Sequence, residues 1–204
     1  MTKPALYFTF GHPEGSGADL AAREEARGLI ERRDLYAFDE IDLDRHGALL
    51  IGMHADQRFL ATRSERIERF LADGGTVVAN GHIAYPFLPG IGPARTLPHY
   101  RLDDLRILRI AEHPIWEGVS GEDMTFRRGV AGFYGRAWHD PPAGALVVNG
   151  VGAPDRPLDI LYPVGRGRVL LHAGNDLWQF GGSDSTSRLV PQFLDWLFAP
   201  EVSP

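Results

Sequence analysis

The sequence predicts an α/β protein built on a doubly wound, mainly parallel sheet with a C-terminal antiparallel hairpin. Three observations lead there. The apolar runs 5–10, 47–53 and 76–80 are continuous and do not alternate, the mark of strands buried on both faces. Amphipathic segments separate them, so the strands pair in parallel through crossovers and the helices lie outside the sheet. Later in the chain, "DILYPVGRGRVLLHAG" (159–174) holds two apolar runs joined by Gly165-Arg166-Gly167, which reads as a hairpin with a left-handed glycine in its turn.

In chain order, "ALYFTF" (5–10) is a strand that ends at Gly11. In the following "ADLAAREEARGLIERR", Ala18, Ala22, Ala26, Leu29 and Ile30 keep helical spacing. "GALLIGM" (47–53) is the next strand, and Thr62-Arg63-Ser64-Glu65 has the form of a capping box. Ile67, Phe70 and Leu71 give the helix behind it an apolar face, and Gly74-Gly75 ends it before the strand "TVVAN". "WEGVSGEDMTF" and "FYGRAWHDPPAG" read as loops and short strands over one end of the sheet. In "SRLVPQFLDWL", Leu189, Val190, Phe193, Leu194 and Leu197 form one helical face, with Pro191 restricting where the helix begins.

The 204 residues, 44% of them hydrophobic, suffice for one sizeable core, and no repeat or linker divides them, so a single domain over 1–204 is expected. A net charge of -6 gives no basic field for a polyphosphate backbone, which argues against nucleic acid as a partner. The chain has no cysteine, which removes disulfides, thiolate catalysis and Cys-ligated metal sites. No apolar segment approaches the ~18 residues of a membrane span and the N-terminal apolar run is too short for a signal peptide, so a cytoplasmic location with no membrane contact is expected.

In an open α/β sheet, ligands bind beyond the carboxyl ends of the strands. That rule gathers Gly11 and His12, His54, Asn80 and His82, and His172 with Asn175 and Asp176. No Gly-x-Ser-x-Gly or His-Glu-x-x-His motif is present. "GHPEGSG" is glycine-rich ahead of a helix and offers amides to an anion, yet it lacks the known phosphate-loop spacings and carries Glu14 and Asp19 nearby. Three readings of the histidines stand open. One is a divalent metal held by His54, His82, His172 and Asp176. Another is hydrogen bonding that shapes the loops. The third is direct ligand contact, with His172 or His82 as acid or base and Asp176 as the orienting carboxylate. No resident cofactor is expected beyond that metal. Phe133, Tyr134, Trp138, Trp178 and Phe180 cluster in the later loops, where rings either stack on a sugar or nucleoside or close over a core edge. His99, His113 and His139 read as surface residues.

The order of "GALLIGMHADQRF", "IERFLADGGTVVANGHIAY", "AEHPIWEGV", "FYGRAW" and "GRGRVLLHAGNDLWQF" resembles the trehalose-utilisation (ThuA-like) family, within the class I glutamine amidotransferase-like superfamily. The resemblance runs from about residue 47 onward and rests on His54, Gly74-Gly75, His113-Pro114-Ile115, Tyr134-Gly135 and Gly165 to Val169. It departs at two positions: Asn80 stands where relatives carry His or the nucleophilic Cys, and Asn175 where the closing motif has His. The resemblance implies a flavodoxin-like fold and carbohydrate metabolism, without glutamine hydrolysis through a thioester.

The leading expectation is therefore a small-molecule protein for a sugar-like metabolite, acting as a binder or as a hydrolase, lyase or isomerase. His172, Asp176 and His82 are its expected catalytic residues. Gly11, His12, His54, Asn80, Tyr134, Asn175 and Trp178 are its expected ligand contacts. The alternatives are a non-catalytic domain for protein assembly, with a homodimer as one form, and a metal-dependent hydrolase.

Overall fold

The computed structural model describes residues 2–11 and 16–199, with the backbone alone at 16 and 17. His12 and most of the loop "GHPEGSG" lie outside the described residues.

Eight strands form one sheet: β1 (Ala5–Thr9), β2 (Ile30–Asp34), β3 (Ala48–Ile51), β4 (Thr76–Asn80), β5 (Ile107–Arg109), β6 (Leu146–Val151), β7 (Pro157–Val164) and β8 (Gly167–His172). Their order across the sheet is β2-β1-β3-β4-β8-β7-β6-β5. The first five are mutually parallel, and the last three add on antiparallel. The mainly parallel sheet and its late hairpin agree with the sequence pattern.

Both faces are covered. On one, α1 (Ser16–Ala22) and α6 (Leu189–Phe198) bury Leu20, Leu189, Phe193, Leu194 and Leu197 against Tyr7, Leu50, Val78 and Leu170. On the other, α2 (Gln57–Ala61) and α3 (Ser64–Ala72) bury Leu60, Ile67, Phe70 and Leu71 against Leu6, Leu49, Val77 and Leu171. Alternate residues of each strand thus feed opposite cores, which is why the runs are continuous. Two short helices, α4 (Leu102–Leu105) and α5 (Gly121–Thr125), belong to the irregular second half.

Two local expectations need correction, and a third, that Pro191 limits where the last helix begins, holds. Leu29 and Ile30 do not extend the first helix, which stops at Ala22; Ile30 opens strand β2, "IERRD", whose charges suit an edge position. Thr62 caps nothing at α3, where Arg63 precedes the helix with no side-chain cap. Its hydroxyl donates to the Phe59 carbonyl at 2.7 Å, closing α2. Asp56 supplies the cap instead, at the start of α2, accepting from the Arg58 and Phe59 amides. Pro191 is the third residue of α6, inside the first turn, where a missing N–H breaks no helical bond.

The two sheet edges differ in how they are closed. β2 exposes a charged edge, whereas β5 is only three residues long and its Ile107 amide donates to Thr125 Oγ1 at 2.8 Å. Among the described residues, no helix is long and apolar enough to cross a membrane.

Candidate functional site

A row of polar side chains crosses the middle of the sheet. Cross-strand pairing aligns Asn149 with Asp159, Asp159 with His172, and His172 with Asn80. All four are buried. Asp159 is the centre: its Oδ1 meets His172 Nδ1 at 2.6 Å, and its Oδ2 accepts from Asn149 Nδ2 at 2.6 Å and Tyr134 Oη at 3.0 Å. The Trp116 indole donates to the same Tyr134 hydroxyl at 2.6 Å. Burial, then the Asp159 charge, pushes the Tyr134 phenol well above its ordinary pKa of 10 and keeps it a donor. The carboxylate that orients His172 is thus Asp159. Asp176 has a different task, since its Oδ1 accepts from the Met53 amide at 2.6 Å and its Oδ2 from Gln179 at 3.3 Å.

Asn80 is likewise engaged at both ends. Its Nδ2 donates to the Ile51 carbonyl at 3.3 Å and its Oδ1 accepts from the Leu177 amide at 3.0 Å. The positive backbone angle after β4 falls one residue later, on Gly81 at φ 96°, and no helix follows. A nucleophile elbow is a strand-to-helix turn, so this strand end does not have that shape. Gly81 is required here: its amide is tied to the His172 carbonyl at 2.9 Å, and a Cβ would lie 3.0 Å from Met53 Cα.

Beside this row, at the carboxyl ends of β4 and β8, lies a cavity of about 300 Å³ lined by His82, Gly132, Phe133, Gly135, Arg136, Gly174 and Asn175. Of the expected site residues it gathers His82 and Asn175. His172 is buried next to it: its Nε2 has no hydrogen-bond partner, and a Cβ on Gly174 would lie 2.6 Å from that atom and 1.7 Å from the Tyr134 carbonyl oxygen. Only glycine fits at 174.

The loops that hold the cavity's polar groups are braced. Gln57 Nε2 donates to the His82 carbonyl at 2.9 Å, and its Oε1 accepts from the Ala84 amide at 2.7 Å. His139 is fully buried, contrary to the expectation of a surface residue. Its Nε2 accepts from the Ile83 amide at 3.4 Å, so its Nδ1 carries the proton and donates to the Gly92 carbonyl at 3.0 Å. Arg136 Nε donates to the Gly132 carbonyl at 2.8 Å. His82, exposed on its outer side, has its pKa lowered, first by the desolvation of the part that faces its neighbours and then by interaction with His172 and Arg136, so its ring is neutral at pH 7.

The remaining expected residues lie elsewhere. Gly11 and His54 follow β1 and β3 on the exposed surface and do not line the cavity. Trp178 packs edge-on against Tyr7, with ring centroids 5.5 Å apart, and beside Phe193. His113 is half-buried between Trp116 and Trp196 and caps the turn Pro114–Trp116 through the Ile115 amide, which again corrects the surface assignment. Among the described residues, no three His, Asp or Glu side chains group closely enough to hold a metal ion.

Sequence reasoning missed Asp159, Asn149, Gln57 and Arg136. The first two left a usable signal, a charged or amide side chain inside an apolar strand, "LDILYPV" and "LVVNGV", because such groups are buried only with partners. Arg136, in "FYGRAW", left none.

No protein-family model matches the chain, and no curated protein is a significant match. Solved structures do match. A cytoplasmic protein from Salmonella typhimurium is 13% identical and has a TM-score of 0.58, over 95% of this chain and 97% of its own. A glutamine amidotransferase from Thermotoga maritima is 13% identical with a TM-score of 0.56, over 100% of this chain and 87% of its own. A ThuA-like protein from Parabacteroides merdae is 11% identical with a TM-score of 0.51, over 100% of this chain and 92% of its own. Likeness at such identity is likeness of fold. This chain shares its fold with these structures, a glutamine amidotransferase and a ThuA-like protein among them.

Proposed function

We propose that this protein binds a small sugar-like metabolite in the cavity beyond β4 and β8, and that His82 exchanges a proton with it. One observation carries the reading: the polar side chains that line the cavity keep most of their hydrogen-bonding capacity, whereas most polar atoms of the row beside it, His172 Nε2 and Asn149 Oδ1 excepted, are bonded within the protein. The ring nitrogens of His82, the amide of Asn175 and the terminal nitrogens of Arg136 make no hydrogen bond among the described residues, yet all three side chains line one cavity. Asn80, Asp159 and Tyr134 have their polar groups turned to protein partners. A cavity with a few convergent polar groups and a neutral histidine is the ordinary form of an acid–base site. With no cysteine in the chain, thiolate chemistry is out, and acid–base chemistry of the hydrolase, lyase or isomerase kind fits the histidine. The ThuA-like resemblance supports the sugar-like class.

A thermal-shift screen with sugars, sugar acids, sugar phosphates and nucleosides tests this. A ligand at ~100 times its Kd adds about 2.7 kcal/mol of stability, and that gain should disappear in His82→Ala and Asn175→Ala. A gain that survives both substitutions, or no gain with any compound, overturns the reading.

A second reading, protein assembly, is favoured by exposed aromatic rings: Phe10 and Tyr36 pack together 5.9 Å apart, and Tyr36 meets Phe59 at 5.1 Å. Sedimentation equilibrium of wild type and Tyr36→Ser separates it from the first. A dimer lost on substitution supports assembly through this patch.

A further inference from the structure

We infer that the metabolite is a sugar acid whose carboxylate is held end-on by Arg136. The inference rests on the cavity reading above and specifies its ligand. Three observations carry it.

The first is charge balance. In a chain of net charge -6, no Asp or Glu among the described residues lines this cavity, whereas several arginines elsewhere are paired. Arg27, Arg63, Arg95, Arg106 and Arg156 each meet a carboxylate within 4 Å. Among the described residues Arg136 meets none. A second cation is near one lining residue, the Arg127 guanidinium lying 5.8 Å from the centroid of the Phe133 ring.

The second is geometry. Arg136 Nε is fixed on the Gly132 carbonyl at 2.8 Å, so the guanidinium is held at one edge and its two terminal nitrogens are uncommitted. That pair is a planar fork, which matches the two oxygens of a carboxylate.

The third is the donor count. Arginine has donors and no acceptor, while His82 and Asn175 can do either. The side chains around the cavity therefore suit a ligand rich in acceptors. A neutral sugar, whose hydroxyls need acceptors as much as donors, would leave the exposed Arg136 fork to water.

Isothermal titration calorimetry of the intact chain with D-glucuronate, D-glucose and D-glucose 6-phosphate tests it, on wild type, Arg136→Ala and Arg136→Lys. The expected result is that glucuronate binds wild type about tenfold or more tighter than glucose. Arg136→Ala should abolish that preference and Arg136→Lys restore it only in part, a charge without the fork. Thermal melts of the free variants establish that the fold is retained. Glucose binding as tightly as glucuronate, or a preference unchanged in Arg136→Ala, overturns the sugar-acid assignment and leaves the cavity reading in place. Glucose 6-phosphate binding about tenfold tighter than glucuronate replaces carboxylate by phosphate. Binding of none of the three overturns the sugar-acid assignment and leaves the cavity reading to the thermal-shift screen.

Discussion

Two polar regions lie side by side at the carboxyl ends of the central strands, and their chemistry is opposite. In the buried row Asn149–Asp159–His172–Asn80, the side chains bond one another or the backbone. In the cavity next to it, His82, Arg136 and Asn175 keep polar atoms that bond nothing in the protein. Residue type does not separate the two, for each holds a histidine and an asparagine. What separates them is how far the hydrogen bonds are already made: most polar atoms of the row, His172 Nε2 and Asn149 Oδ1 excepted, have partners in the fold, whereas the cavity side chains keep most of theirs for a ligand or solvent.

Substitutions break or sharpen that contrast. Asp159→Ala should have the largest effect, because it leaves His172, Asn149 and Tyr134 buried without their common acceptor. A loss of ~3–5 kcal/mol is expected in urea denaturation, and a loss under about 1 kcal/mol would mean the row is not the keystone described. Asn80→Ala should follow, at ~1–3 kcal/mol, since the Ile51 carbonyl and the Leu177 amide lose their bridge. If Asn80→Ala instead left stability intact and removed ligand binding, Asn80 would belong with the cavity.

A pH effect comes next. Burial, then Arg168 and Arg109, lowers the His113 pKa from 6.5 to about 4, against a raising effect of Asp159. Below pH 6.5 the unfolded chain takes up a proton that folded His113 refuses until about pH 4. Stability should therefore fall as pH falls through that window. His113→Asn keeps a capping acceptor for the Ile115 amide and removes the titration, so the slope should flatten. Part of it should remain, because the pKa values of His82 and His139 are lowered as well. An unchanged slope would show that His113 titrates normally. The smallest effect on stability belongs to His82→Ala, Asn175→Ala and Arg136→Ala, each within about 0.5 kcal/mol. A larger loss in any of them would move that residue from the cavity to the scaffold.

The parallel half of the sheet was legible because its strands are buried on both faces and read as "ALYFT", "ALLI" and "TVVAN". β2 was hidden because "IERRD" is an edge strand whose charges face outward, and its Ile30 continued a helical spacing by coincidence. β5 and β6 were hidden because their pairing is long-range and antiparallel, with irregular register at Asn149. For the site, the strand-end rule located His82, His172 and Asn175 but could not say which of them face a ligand. His172 and His82 both follow or end apolar strands, yet one is sealed against Asp159 and the other opens on the cavity. That depends on the loop 132–136 arriving from elsewhere in the chain, and no local pattern encodes its arrival.

The closure of the sheet's two margins has a consequence for handling the protein. A bare strand margin recruits other chains into fibrous aggregates. Here Glu31, Arg32, Arg33 and Asp34 cover one margin with charge, while the other is three residues long with its Ile107 amide already taken by Thr125. Concentrated stocks should resist fibril formation on storage, and the charged margin, which salt screens, is the one to watch at high ionic strength.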